Sequence, residues 1–322
     1  VIGLEGLCWG DVGLFLAIPG SGLGNAAINA VGTPEQREKY GKSYAAMCIT
    51  EPGTGSDSAN IATTAVADGD EWVLNGEKIY VTDGERSDTL VVWATLDKSL
   101  GKAAIKSFIV EKGTPGCEVV RLEHKMGIRA SDTAAITFTD CRIPRENILG
   151  SAEVAATAEA RKRAFGGVMQ TFDNTRPPVA SMAIGTARAA LDLTREILAK
   201  EGVALKFDKS PANLSALEAD LYRMEAEWSA ARLLVHKAAW MADNKMPNSR
   251  EASMCKAKAG RMGNQVTLRC VEMCQSLGYS ENALLEKFAR DSKILDIFEG
   301  TQQIQQLIVA RQVLGKSSSE LK

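Results

Sequence analysis

The sequence predicts an α+β fold in three stretches: a helical N-terminal segment over 1–44, a central antiparallel β-barrel or sandwich domain over 45–152, and a C-terminal helical bundle over 153–322. Two observations predict it. Apolar residues recur at helical spacing at both ends of the chain. Between them lie short apolar runs bounded by turn residues, with no helical pattern separating one strand from the next, which argues against a parallel βαβ sheet. At 322 residues the chain is long enough to bury a large core.

In the first stretch, Thr33-Pro34-Glu35-Gln36 reads as an N-cap, a proline at the first helical position and an acidic first turn. Gly20-Ser21-Gly22-Leu23-Gly24 looks like a nucleotide fingerprint but lacks the strand–turn–helix setting that fingerprint needs. In the middle stretch, residues Glu71 to Thr82 alternate around Asn75-Gly76, the strongest short-range hairpin signal. Short strands are expected over Leu90 to Thr95, Ser107 to Glu111, Cys117 to Leu122 and Ala134 to Thr139. Ser151 to Arg163 reads as a linker or a helix start. Helices are then expected near 175–200, 211–243, 250–277, 283–297 and 301–315. Arg176-Pro177-Pro178 fits a first turn, where missing N–H groups cost nothing. Ala252, Cys255, Ala259 and Met262 form a narrow stripe suited to close packing.

Composition excludes several classes. The formal charge of −2 gives no nucleic-acid footprint. No apolar run reaches membrane-spanning length. Seven cysteines lack a disulfide framework, and only His124 and His236 could join Cys270 and Cys274 in a metal site, so the thiols read as core residues of a reducing compartment. Two distant histidines support no Ser/His/Asp set. Val1 falls inside a helical pattern, so the native start is expected upstream.

Four segments could carry chemistry. Thr50-Glu51-Pro52-Gly53-Thr54-Gly55-Ser56-Asp57 is a Gly-rich loop whose N–H groups and hydroxyls suit a phosphate or a polar ring edge; an ordinary turn is the plain alternative. Phe172-Asp173-Asn174-Thr175-Arg176 supplies a capping Asp or Thr and an Arg at an expected helix start. Met126 to Thr133 is a polar loop feeding a strand. Ile297-Phe298-Glu299-Gly300-Thr301 sets a carboxylate beside apolar neighbours at the start of a helix with Ile304, Leu307, Ile308, Arg311 and Leu314 in register. Two readings of Glu299 stand on these residues: an acid favouring a helix N-terminus, or a poorly solvated base with a raised pKa. Gly300 permits close backbone approach.

In this order the segments resemble the acyl-CoA dehydrogenase family of flavoproteins. Ile49 to Asp57 is similar to its first signature, and Arg290-Asp291-Ser292-Lys293-Ile294 with Phe298-Glu299-Gly300-Thr301-Gln302-Gln303-Ile304-Gln305 to its second. Phe172 to Arg176, Met126 to Thr133 and Asn75-Gly76-Glu77-Lys78 agree as well. The resemblance implies a C-terminal four-helix bundle, a chain lacking the family's first helices (1–44 being a remnant of that domain), and FAD as cofactor. It implies α,β-dehydrogenation of an acyl-CoA to a trans-2-enoyl-CoA, a step of fatty acid β-oxidation, with Glu299 taking the α-proton. It assigns flavin contacts to Met47, Ile49, Thr50, Gly55, Ser56, Tyr80, Thr82, Thr301 and Gln303, and a partner subunit's flavin to Gln275 and Gly278. Substrate contacts fall on Ser56, Asp173, Thr175, Arg176 and Gly300. The implied partners are the acyl-CoA and an electron-transfer flavoprotein or another acceptor, in a homodimer or homotetramer of the cytoplasm, or of the mitochondrial matrix in a eukaryote. Three departures bear on this: Tyr80 stands where the family commonly has Trp, Lys200 to Leu205 replaces an Arg-x-x-Phe-Gly stretch, and Gly278-Tyr279-Ser280-Glu281 replaces Gly-Gly-x-Gly. The last two touch the half of the cofactor site that crosses a dimer, which leaves a non-catalytic or FAD-sharing subunit of a hetero-oligomer as an alternative; an acyl-CoA oxidase, the same scaffold with a changed reaction, is another.

Overall fold

A computed structural model of the chain describes residues 1–20, 22–154, 158–206, 208–317 and 320. Ser21 of the Gly-rich stretch, and residues 155–157 of the expected linker or helix start, lie outside them. The described residues group into two compact units, one of Val1–Leu16, Met126–Ile128 and Phe172–Lys322, the other of Ala17–Lys125 and Arg129–Thr171.

The second unit is built on an eight-stranded sheet: β1 (Ala45–Cys48), β2 (Thr64–Asp68), β3 (Glu71–Thr82), β4 (Thr89–Thr95), β5 (Ile105–Glu111), β6 (Cys117–Leu122), β7 (Thr133–Pro144) and β8 (Ile148–Leu149). Strand order is β6-β7-β3-β2-β4-β5-β8, with β1 on β4. Pairing is mostly antiparallel, as the sequence predicts, but β1 runs parallel to β4 and β2 touches β4 in parallel at Thr64 and Thr95. Trp72, Leu74, Val92, Phe108 and Ile136 fill one face of the sheet. Helices α2 (Leu23–Val31) and α3 (Pro34–Tyr40) also belong to this unit, the latter capped by Thr33 and Gln36 as expected. The buried Asn25 amide donates to Ser43 O at 2.6 Å and accepts from Ala45 N, which fastens α2 to the start of β1.

The expected Asn75-Gly76 hairpin is overturned. Both residues lie inside β3, which pairs with β7 through a bulge between Leu74 and Gly76. The turn falls instead at Gly69-Asp70, between β2 and β3, with Gly69 at φ +59°. The Asn75 side chain bonds across to Asp140, accepting from its N–H at 2.8 Å. A Cβ on Gly76 would stand 2.5 Å from Thr63 Oγ1. Here Asn-Gly marks a bulge and a close approach, uses of glycine that local sequence does not distinguish from a turn.

The first unit is helical: α1 (Ile2–Phe15), α4 (Ala158–Lys200, which enters this unit at Phe172), α5 (Ala216–Asp243), α6 (Ser249–Met273), α7 (Gln275–Tyr279), α8 (Leu285–Ser292) and α9 (Gln302–Leu314). The predicted helix start at Asp173 to Pro178 is also corrected, because α4 passes straight through Pro177 and Pro178. Interior prolines remove backbone bonds at about 3 kcal/mol or more each. Helical turns on either side and a packed face beginning at Ala180 outweigh that cost. The expected helix over 250–277 ends at Met273, where Cys274 and a left-handed Gln275 (φ +52°) turn the chain into α7. Ala183, Ala187, Leu191, Ala259 and Met262 occupy the core, and small residues bring α4 and α6 close: a Cβ on Gly263 would meet Ala183 Cβ at 3.2 Å.

Six of the seven cysteines are buried and Cys117 is half-buried. Burial raises the Cys255 and Cys270 thiols to about 12, which keeps them protonated. Among the described residues, no helix is long and apolar enough to cross a membrane.

Candidate active site

Glu299 lies in the short segment joining the 3-10 turn Lys293–Asp296 to α9, with φ +56°. Gly300 follows at φ +91° and Thr301 caps α9, accepting from Ile304 N. Two consecutive left-handed residues turn the chain abruptly and carry the carboxyl into the helical unit. There the Thr175 hydroxyl donates to Glu299 Oε1. Arg176, 4% exposed, pairs with Asp173 at 2.5 Å and donates to Ser253 Oγ at 3.3 Å. Its buried Nε meets no hydrogen-bond partner among the described residues.

Desolvation raises the Glu299 pKa, against the pull of the Thr175 hydroxyl and the charges of Arg176 and Lys256. The residue keeps intermediate exposure. Protein closes around the carboxyl, therefore, while part of the residue stays accessible. Of the two expected apolar neighbours, Ile297 is 45% exposed, whereas Phe298 packs partly buried against the helical core. The enclosure comes from α4 and α6. Asp173 is likewise raised by burial, offset by Arg176.

Two residues essential to this arrangement escaped the reading of the sequence. Lys256, buried on α6, donates from Nζ to Gly300 O at 2.8 Å. Burial lowers its pKa to about 8. Gln305, fully buried on α9, donates from Nε2 to Glu299 O at 3.1 Å and Gly300 O at 3.3 Å. The first had a signal: a lysine interrupts the apolar stripe Ala252, Cys255, Ala259. The second stands in the stretch that resembles the family's second signature, but apolar spacing hid its role, because α9 turns Gln305 inward and leaves Leu307 and Leu314 exposed.

In the sheet unit, Glu51 and Lys78 shape the Gly-rich loop. Glu51 accepts from Ala62 N, Thr63 N and Thr63 Oγ1 at 2.5, 2.9 and 2.5 Å. Lys78 Nζ reaches Glu51 Oε1 at 2.8 Å and Ile49 O at 3.1 Å. Beyond this brace, Gly53, Gly55 and Ser56 are exposed, and a Cβ on Gly53 would meet nothing within 4 Å. The Thr54 hydroxyl is buried without a partner among the described residues. Tyr80, at φ +57° and 62% exposed, presents an aromatic face beside the exposed Thr82, while Met47, Ile49 and Thr50 are half-buried. An open loop of donors and a free aromatic surface fit a planar, hydrogen-bonding ring such as a flavin.

Gln303 is exposed in the first turn of α9. Gln275 and Gly278 belong to α7, the glycine packed so closely that a Cβ would stand 2.3 Å from Val271 O. After α4, Gly202 turns at φ +76° in an exposed stretch with no arginine.

Residues 46–141 match the model of the acyl-CoA dehydrogenase middle domain, and 165–314 that of the C-terminal domain. The acryloyl-CoA reductase (NADH) of Anaerotignum propionicum is 36% identical over 296 residues, covering 89% of this chain and 72% of its own. A subunit of the caffeyl-CoA reductase–Etf complex of Acetobacterium woodii is 35% identical over 95% of this chain and 79% of its own. The solved butyryl-CoA dehydrogenase of Megasphaera elsdenii superposes with a TM-score of 0.85 at 33% identity, over 97% of this chain and 80% of that one. The chain belongs to the acyl-CoA dehydrogenase family of FAD-dependent oxidoreductases.

Proposed function

We propose that this chain carries out α,β-dehydrogenation of an acyl-CoA thioester, with Glu299 as the base that takes the α-proton. The observation that supports this reading is a desolvated carboxyl of raised pKa that still keeps accessible surface. A base poised nearer neutrality than an ordinary carboxylate abstracts a weakly acidic proton more effectively, a contribution of about 10²–10⁴ in rate.

The chain's own groups divide the remaining work. Thr175 holds one carboxylate oxygen and so orients the other. The Glu299 N–H has no acceptor among the described residues and is free to donate to the thioester oxygen, where charge develops as the proton leaves. Gly300, lacking a side chain, lets the Gln305 amide close against the backbone of the base. Asp173 and Arg176 neutralise one another and back Thr175. FAD, when bound, supplies the acceptor for the β-hydrogen and its electron pair. In the sheet unit, the loop from Thr50 to Ser56 with Tyr80 and Thr82 would hold it.

The kinship with reductases favours a second reading in which the same residues run the reaction backwards, Glu299 returning the proton to an enoyl-CoA. An electron-transfer flavoprotein is the proposed redox partner, on the strength of the Etf-complex relative. The test is spectroscopic. The purified protein is mixed with a panel of acyl-CoAs and the flavin bands are followed. Glu299→Gln should keep the bands and lose their bleaching; unchanged bleaching overturns the assignment.

A further inference from the structure

We propose that Lys256 is a positioning residue for the base: with Gln305 it clamps the two carbonyls of Glu299-Gly300, and its ammonium group favours the ionised carboxyl. The inference rests on Glu299 being the base, and it concerns how the fold holds that base ready.

The segment has reason to move. A left-handed conformation at a non-glycine residue is disfavoured and persists only where its surroundings over-determine it. Glu299 and Gly300 adopt it in succession, at φ +56° and +91°. Neither belongs to a helix or strand, so their carbonyls find no partners in regular backbone structure. Side chains from two helices supply them. Gln305, 0% exposed, reaches both oxygens from α9, and Lys256, 1% exposed, reaches the second from α6 at 2.8 Å. The fit is tight, since a Cβ on Gly300 would lie 2.4 Å from Gln305 Nε2.

A glutamine would satisfy a carbonyl as well as a lysine does, without the cost of burying a cation. What a lysine adds is charge. The charged groups that act on this corner are Asp173 and Arg176 from α4, Lys256 from α6, and Asp296 from the 3-10 turn before Glu299. Arg176 and Lys256 both favour the ionised carboxyl, but Lys256 is the cation that also ties the backbone of the base. Its own lowered pKa, about 8, places its titration in the working range.

Two variants separate the roles: Lys256→Met removes donor and charge, and Lys256→Gln keeps a donor and removes the charge. In Lys256→Met, kcat should fall about tenfold or more while KM moves less than about twofold, because geometry at the reacting atom is lost and binding is not. The acidic limb of kcat/KM should rise by about half a unit or more in both variants, since an opposite charge no longer favours the carboxylate. Lys256→Gln should recover much of kcat but not the limb. Independently of turnover, pH-difference infrared spectra of the purified protein should show the Glu299 carboxyl band, identified by its loss in Glu299→Gln, titrating at higher pH in both variants. Folded, flavin-bearing Lys256→Met with an unmoved band and limb overturns the proposal, whatever its kcat. If that variant does not fold, Lys256→Gln and Gln305→Ala, which opens the same carbonyls, carry the test by the same band and by kcat. A Glu299→Gln enzyme that still bleaches flavin would refute the base assignment alone, because the band shift does not depend on it.

Discussion

Lys78 and Glu51 form an ion pair wholly inside the sheet unit, 2.8 Å apart, with 0% and 5% of their side chains exposed. The pair joins β3 to the loop that follows β1. Burial pushes the Glu51 carboxyl up, but the bonds from Lys78, Thr63 and the Ala62 N–H outweigh it and leave the pKa lowered.

Breaking the pair on one side strands a buried charge. Lys78→Met should destabilise the protein by about 3–5 kcal/mol, and pairing it with Glu51→Gln should recover part of that loss. Urea unfolding of the single and double variants measures both. Because the folded-state pKa of Glu51 is lowered, its contribution is present above the unfolded value and is lost as pH falls through the folded one. The penalty for Lys78→Met should therefore shrink in acid.

Glu299 titrates with the opposite sign. Its folded-state pKa is raised, so the native state binds the proton more tightly than the unfolded chain. The stability it contributes is full below the unfolded value, about 4.3, and is lost as pH rises through the folded value. Glu299→Gln should accordingly raise Tm at neutral pH, with the gain vanishing in acid. Thermal scans across pH check this, and a gain independent of pH would contradict it.

Thr175→Val deletes the hydroxyl that donates to Glu299 while conserving volume. A hydrogen bond to a charged group contributes about 1.5–3 kcal/mol, so the acidic limb of kcat/KM should climb by roughly one unit or more. Thr175→Ser should restore it. A pH–rate profile of the three enzymes decides the matter.

Gly300→Ala meets two obstacles, a φ of +91° and the Gln305 amide at 2.4 Å from the new methyl. The strain should cost about 1–3 kcal/mol, part of it relieved by adding Gln305→Ala. Differential scanning calorimetry of both variants tests the coupling.

Where periodicity and neighbours carried the information, the amino-acid order was enough. Thr33-Pro34-Glu35-Gln36 forms a capped helix start because the groups involved sit three residues apart. Strands such as Cys117–Leu122 fall where short runs bounded by turn residues placed them. Glu299 was legible as a candidate base because the carboxylate adjoins apolar residues and a glycine in the chain, and the family resemblance pointed to the same residue. What tertiary structure alone decided are the contacts over long separations. Asn75-Gly76 is a bulge because Asp140 and Thr63 arrive from elsewhere. Pro177 and Pro178 stay helical because the packed face beyond them outweighs two lost backbone bonds. Thr175, Lys256 and Gln305 converge on Glu299-Gly300 from three helices. Local propensities are worth tenths of a kcal/mol to about one, whereas burying and pairing these polar groups involves several, so packing overrides them wherever the two disagree.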